Sequence, residues 1–346
     1  MREGRHECRL DGRALTLLLM RCDRPEPVVE TLRDGGVVTA TLHTAEPAKW
    51  RAAFDHGLPD VAAIDVVGQA PVDAPATLVA LLADTPVRTV GPGCVELDTD
   101  SGRLRSSARH RAPSGDTDQA AWRECYEETG RRLLGRRGTR LVLTRTWMGA
   151  AGPDAFAALN QARREAFAVW TPDGAVGPGA WPVNTGLGDL DPAASMSGLA
   201  VDGIATTSLD IAGHLRPDRY VQRSPPLFSR AVALGDPAGL LLIAGTVSVH
   251  DGVPAHPDDP DAQLDTVLGL VDRLLAPANL AAHGVAPARL AVATVYVAPG
   301  VDRARIARLV GARLADLEGD VLWHVVEAPL ALPELLVEID GMAVPA

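Results

Sequence analysis

The last third of the chain switches between two hydrophobic periods in a fixed order, and that order restricts the fold more than any other feature. Phe228 to Leu234 and Gly239 to His250 read as strands separated by the turn Gly235-Asp236-Pro237. A helix follows from about Ala262 to Ala276, where Leu264, Val267, Leu268, Val271, Leu274 and Leu275 share one stripe and Pro277 stops the run. Arg289 to Ala298 is an apolar strand. Asp302 can cap a second amphipathic helix, which turns Ile306, Leu309, Val310, Leu314 and Leu317 inward and ends at Gly319. Val321 to Glu327 and Glu334 to Met342 read as closing strands. The order strand, strand, helix, strand, helix, strand, strand gives a mixed sheet with two helices, too few to cover both faces. The bare face must meet another lobe or another subunit.

The middle of the chain echoes this order. A helix from Asp118 to Leu134 ends at Gly135, the strand Arg140 to Trp147 follows, and Asp154 to Trp170 forms another helix. Beyond a Gly/Pro-rich stretch, Ala200 to Ile211 reads as a strand, and the spacing points to a degenerate structural repeat. The first hundred residues show short strands, Ala14 to Arg21, Gly36 to His43 and Val61 to Val67, joined by loops. The expectation is an α/β (α+β) protein of two lobes, each a mixed sheet covered by helices on one face. Residues 1–215 form the N-terminal lobe, a degenerate copy with extra strands, and residues 216–346 the C-terminal lobe. The boundary falls near 212–225, where His214, Pro217 and Pro225 interrupt the periodicity.

Charge and composition narrow the partners. A net charge of −11 repels a phosphate backbone, and aromatic residues at 4% are too scarce for base stacking, so no nucleic-acid partner is expected. A small anion in a locally positive pocket stays compatible. Met1 to Leu10 carries charge without an apolar core, so no signal peptide is expected, and the apolar run around Leu240 to Ala244 is too short to span a bilayer. The cysteines Cys8, Cys22, Cys94 and Cys125 share no metal-type spacing and read as reduced thiols, which places the protein in the cytoplasm. No metal and no cofactor are expected. The segment His250 to Asp261 holds two histidines and several aspartates, but its prolines break any ligand spacing and leave an acidic loop before a helix. Gly186-Leu187-Gly188 lacks the strand-turn-helix setting of a phosphate loop, and Ser229 lacks a glycine elbow.

Glu338 is the odd residue. It follows Leu335-Leu336-Val337 and precedes Ile339. In a shielded strand its carboxyl would lose hydration, hold its proton towards neutrality and serve as a general acid. In an open strand Glu338 and Asp340 would face water together. The pattern alone leaves both readings open.

Several segments together are similar to the chorismatase family of bacterial macrolide pathways. Ala244-Gly245-Thr246-Val247-Ser248 matches its G-T-x-S strand, Gln263 with Asp265-Thr266 its Q-x-[ED]-T helix start, and Leu335 to Asp340 its L-L-V-E-I-E ending. Arg163 before Ala166-Phe167 matches G-R-x-x-A-F, and Arg223 to Ala231 matches R-S-P-x-x-F-[SA]-R-A. The likeness runs over roughly residues 140–346, and the C-terminal lobe also resembles the reactive-intermediate deaminase fold, which is like that of chorismate mutase.

The resemblance implies an enzyme that hydrolyses chorismate to pyruvate and a dihydroxycyclohexadiene carboxylate, a starter unit for macrolides. It makes Glu338 the catalytic acid and points to Arg163 and Arg223 as clamps for the two substrate carboxylates. Tyr220 and Thr246 would add hydroxyl contacts. Each arginine could instead make a surface ion pair, and Thr246 could be a buried structural hydroxyl. Ala244 and Ala331 stand where the branch that forms 3-hydroxybenzoate tends to carry Gly and Cys, which favours plain hydrolysis. The competing readings are that benzoate-forming reaction, an enamine/imine deaminase, and a non-catalytic metabolite-binding protein. The open sheet face is compatible with a monomer or a small homo-oligomer.

Overall fold

A computed structural model describes residues 3–34, 36–58, 63–149, 151–211, 227–250, 253–315 and 320–346. It shows the expected mixture of mixed sheets and helices, but with three copies of the unit rather than two. In the last copy the strands Ala231–Leu234, Leu240–Val247, Val337–Pro345, Ala288–Val297 and Leu322–Glu327 lie side by side in that order. All neighbours are antiparallel except the last pair, which is parallel. The helices Pro260–Leu275 and Arg303–Ala315 supply the two crossovers.

The middle copy has the same plan. Cys94–Asp98, Arg103–Arg111, Ser195–Asp202, Arg140–Met148 and Val183–Gly188 form the row, with helices Gln119–Leu133 and Pro153–Trp170. The first copy repeats it once more. Its row is Gly4–Leu10, Arg13–Cys22, Ala76–Ala83, Gly36–Thr44 and Ile64–Gly68, with helices Pro25–Asp34 and Pro47–Gly57. The first hundred residues are therefore a full repeat and not loops with extra strands. Its helices escape a periodicity reading because each buries few residues, among them Val28, Val29 and Leu32 in one and Trp50 and Phe54 in the other. Ala76–Ala83 is buried along its whole length, so it reads as an apolar run without alternation.

Each helix pair covers one face of its own sheet and closes a separate core. The three bare faces meet in a fourth core, where Leu17, Leu19, Val79 and Leu81 of the first repeat join Leu143, Val183 and Leu199 of the second and Leu242, Val292 and Met342 of the third. The other repeats thus bury the face that a two-helix unit leaves open.

Sequence and structure differ at the boundaries too. Ala200 to Ile211 is not one strand. Ser195–Asp202 closes the second sheet, Gly203 turns with a positive φ of 76°, and Thr206–Leu209 joins the edge of the third sheet, ahead of the expected boundary at 215. Ala70–Pro71 of the first repeat adds to the third sheet's other edge. Asp302 caps its helix by accepting from the Arg305 N–H at 2.9 Å, and Asp259 caps the helix after the acidic loop. The expected helix end at Leu317 and Gly319 lies outside the described residues. All four cysteines are free and buried, and no described helix is long and apolar enough to cross a membrane.

Candidate active site

All three repeats carry a register shift at the same place in their third strands, at Val37/Thr39, Leu141/Leu143 and Leu290/Val292. The shift aligns them residue by residue. Glu338 and Asp340 of the third repeat correspond to Ser195 and Ser197 of the second and to Thr77 and Val79 of the first. A second shift, at Met196/Gly198 and Ile243/Thr246, aligns Arg109 with Gly245. Buried carboxyls thus occupy this pair of positions at only one of the three equivalent junctions.

That junction lies where Val183–Gly188 of the second repeat packs on Leu240–Val247 of the third. Glu338 and Asp340, two residues apart on one face of their strand, are 4% and 2% exposed, so the water-facing alternative does not hold. Asp340 collects donors from two repeats. The Thr185 hydroxyl donates to its Oδ2 at 3.0 Å and the Tyr296 hydroxyl at 3.2 Å, while Arg145 Nε stands 3.7 Å away. Arg145 also donates to the Thr41 hydroxyl at 3.2 Å, which ties the first repeat to the cluster. Thr185 in turn accepts the Gly245 N–H at 3.2 Å.

Glu338 has a different environment. Burial pushes its carboxyl up to about 8, the Asp340 charge pushes the same way, and Arg230 opposes both. At neutral pH this group holds its proton. Burial also raises Asp340, but Arg145 and the hydroxyls of Thr185, Tyr296 and Thr294 work against it. Tyr296 is raised well above the usual tyrosine range, first by burial and then by the Asp340 charge, so it stays a neutral donor.

Gly245 makes room for the acid. A Cβ at this position would collide with the Glu338 carboxyl oxygen. Its counterpart Arg109 fills the equivalent space, donates to the Ser195 hydroxyl at 2.7 Å and pairs with Asp189. One junction has a small residue facing a long acid, and the other a long cation facing a serine.

The first turns of the helix Pro260–Leu275 account for a further motif residue. Gln263 is fully buried, and its side chain donates to the Glu334 and His256 carbonyls at 2.7 and 3.0 Å while accepting the Leu336 N–H at 2.8 Å. It fixes the backbone that leads into Glu338.

The remaining candidates divide. Tyr220 and Arg223 lie outside the described residues. Thr246 pairs with Ile339 across the sheet, so its side chain lies on the face away from Glu338, and its hydroxyl donates to the Ala244 carbonyl at 3.0 Å. Thr185, on a strand read only as a Gly/Pro-rich stretch, contacts the carboxyl cluster, as does Thr294. Arg163 is 1% exposed, so it is no surface ion pair. Its Nε donates to the Tyr126 hydroxyl at 3.0 Å and its Nη1 to Asn160 at 3.2 Å, and among the described residues Nη2 has no partner. Arg163 does not touch Glu338. It belongs to the helix layer of the second repeat, whose core also holds Leu159, Ala162 and Ala331. Ala331 sits on the segment 328–336, which bridges Leu187 through Leu330 and then runs into the Glu338 strand. Ala244 is buried in the shared central core beside Gly245. The residues that spacing did not reveal are Arg145, Thr185, Arg230, Tyr296 and Asp340 as a second buried acid.

No family model matches the chain. Over 179 residues it is 30% identical to a chorismatase of Streptomyces hygroscopicus, an alignment covering 49% of this chain and 51% of that protein. A chorismatase of Streptomyces rapamycinicus is 29% identical over 183 residues, 48% of this chain and 52% of that one. The match thus spans about half the length of these curated relatives. A crystal structure of a chorismatase superposes on 96% of this chain and 99% of its own, with a TM-score of 0.72 at 21% identity, so the two share one fold.

Proposed function

We propose that the chain hydrolyses the enolpyruvyl ether of chorismate, with Glu338 as the general acid. The observation that carries this reading is a carboxyl buried at a junction of two repeats and held up to about 8, so that it is protonated at neutral pH. Its support from outside is the likeness to chorismatases in sequence and fold.

The chemistry needs such a group. Glu338 delivers its proton to the terminal methylene carbon of the enol ether, and the side chain becomes an oxocarbenium ion. Water adds to that cation and returns a proton, and the hemiketal breaks its bond to the ring oxygen. The products are pyruvate and a free ring hydroxyl. Protonation of carbon is the slow step, so a strong, shielded acid and a fixed side chain govern the rate. The carboxylate left on Glu338 stabilises the cation.

Chorismate brings two carboxylates, which call for cations. Arg163 suits one of them, because among the described residues its buried guanidinium has neutral partners and a spare Nη2. We assign the second to Arg223, and a hydroxyl contact with the substrate to Tyr220. Arg230, buried and charge-coupled to Glu338, tempers the acid from behind, where it donates to the Gly245 carbonyl at 3.3 Å.

We assign the plain hydrolytic product, a dihydroxycyclohexadiene carboxylate of the kind used as a macrolide starter, on Ala331 and Ala244. A methyl at 331 cannot move a proton, whereas a thiol can. Incubation with chorismate and chromatography of both products tests the reading. Pyruvate with a non-aromatic diene supports it. An aromatic hydroxybenzoate would reassign the branch, and turnover of 2-aminoacrylate without loss of chorismate would point to a deaminase. Ala331→Cys combined with Ala244→Gly is expected to divert part of the flux to 3-hydroxybenzoate, seen as a new aromatic peak. A double variant that consumes chorismate and yields only the diene would acquit these two positions.

Gly245→Ala tests the room made for the acid. The added methyl meets the end of a side chain rather than backbone, so the carboxyl shifts while the fold survives. A displaced acid loses much of the roughly 10²- to 10⁴-fold that proton transfer contributes. We expect kcat to fall at least about tenfold with little change in melting temperature. Unchanged kcat would show that the Glu338 carboxyl does not depend on this gap.

A further inference from the structure

Two carboxyls share the junction, and the donors favour one of them. Resting on the reading of Glu338 as the acid, we infer that Asp340 is the positioning residue that keeps the proton on Glu338. Arg145, Thr185 and Tyr296 favour its anion against the burial that raises its carboxyl, and it stands two residues away on the same face, where that charge disfavours a second one. Two carboxyls this close in a dry site titrate as a pair, and the first proton settles where the anion is least supported. That place is Glu338.

The charged and titratable groups around the pair are few. Arg145 and Tyr296 face Asp340 from the third strands of the second and third repeats, and Arg230 acts on Glu338 from the segment before Ala231–Leu234. Behind them, Asp65 of the first repeat also acts on Arg145. His43 packs edge-on to the Tyr296 ring at 6.1 Å, and burial lowers it to about 3, so it adds no charge at neutral pH. The arrangement places the Asp340 carboxyl beside the acid, with Arg145 and Arg230 as the facing cations, whereas the uncharged Ser195 and Ser197 stand at the corresponding positions of the second repeat. Burial raises the Glu338 carboxyl first and Asp340 adds to it, in the way that a paired carboxylate helps keep its neighbour protonated.

Asp340→Asn removes the charge but keeps the shape. The alkaline limb of kcat against pH, which in the wild type falls as Glu338 ionises, is expected to move down by at least about one pH unit. Activity at pH 8 should then fall at least tenfold further than activity at pH 6. Asp340→Glu should restore much of the limb. A loss of kcat equal at every pH, with the limb unmoved, would make Asp340 a merely structural residue.

Infrared titration of the protonated carboxylic acid band gives a readout that needs no turnover. The band should vanish in Glu338→Gln and should disappear at lower pH in Asp340→Asn than in the wild type. A band that survives Glu338→Gln and is lost in Asp340→Asn would put the proton on Asp340 and overturn the inference. This titration stands even if chorismate proves not to be the substrate. In that case the carboxyl pair behaves as described and only the assigned reaction fails.

Discussion

Glu338→Gln is expected to leave the fold and chorismate affinity in place and to lower kcat by at least about a hundredfold. The amide matches the carboxyl in shape and can still hydrogen-bond, but it has no proton to give to carbon. The substitution is also gentle on the fold. The wild-type group is already neutral at pH 7, so the amide leaves no buried charge unpaired and creates no cavity. The sign of the pH dependence separates catalysis from stability. The folded value of about 8 lies above the ordinary 4.5, so in the wild type this carboxyl costs stability progressively as pH rises from 4.5 to about 8. The glutamine removes that cost. At pH 8 the variant should melt no lower than the wild type while its turnover is nearly lost. Retention of more than a tenth of wild-type kcat in the purified variant would mean that another group protonates the substrate.

Arg163→Ala is expected to weaken kcat/KM by roughly 2–4 kcal/mol, about thirty- to a thousandfold, as loss of a desolvated charged partner does. A guanidinium at 1% exposure whose side-chain partners among the described residues are Tyr126 and Asn160 is expensive for the free protein. An incoming carboxylate on Nη2 supplies the missing counter-charge. The variant should therefore bind chorismate more weakly yet melt close to the wild type, because the cavity penalty and the relief of a buried charge oppose each other. Calorimetric titration with chorismate beside steady-state kinetics checks both halves. Equal affinity in the two proteins would remove Arg163 from the binding site and leave its burial as a feature of the helix layer.

The legible part of the sequence was the third repeat, where amphipathic helices and apolar strands alternate with clear periods. Leu264, Val267, Val271 and Leu274 are buried as their spacing predicts, and Ile306, Val310 and Leu314 likewise. The second repeat was half legible, because Val183–Gly188 contains glycines and an asparagine that read as loop although every residue in it is buried. The first repeat was missed, since its apolar strands show no alternation and its helices begin at prolines, Pro25 and Pro47, with few buried residues to mark a period.

The candidate site was legible to the same degree. Glu338 stood out because an acid in an apolar strand contradicts the local pattern, and that contradiction is what burial and a neighbouring charge turn into a raised proton affinity. Its supporting groups did not stand out. Arg145 and Thr185 sit about 190 and 150 residues away in sequence, and only the packing of one repeat on another brings them to Asp340. Thr246 follows its structural alternative. Its G-T-x-S strand does pair with the Glu338 strand, but Thr246 stands opposite Ile339 beyond the register shift between Ile243 and Thr246, so its side chain lies on the other face.

Release of pyruvate from chorismate by way of the Glu338 proton is the reaction we propose. The direct measurement follows pyruvate and chorismate together, with wild type and Glu338→Gln at equal concentration near neutral pH. The account predicts one pyruvate formed for each chorismate consumed by the wild type, and a rate at least about a hundredfold lower for the variant. No pyruvate above the buffer blank with the wild type would contradict the assigned reaction, and equal rates for the two proteins would contradict the assigned acid.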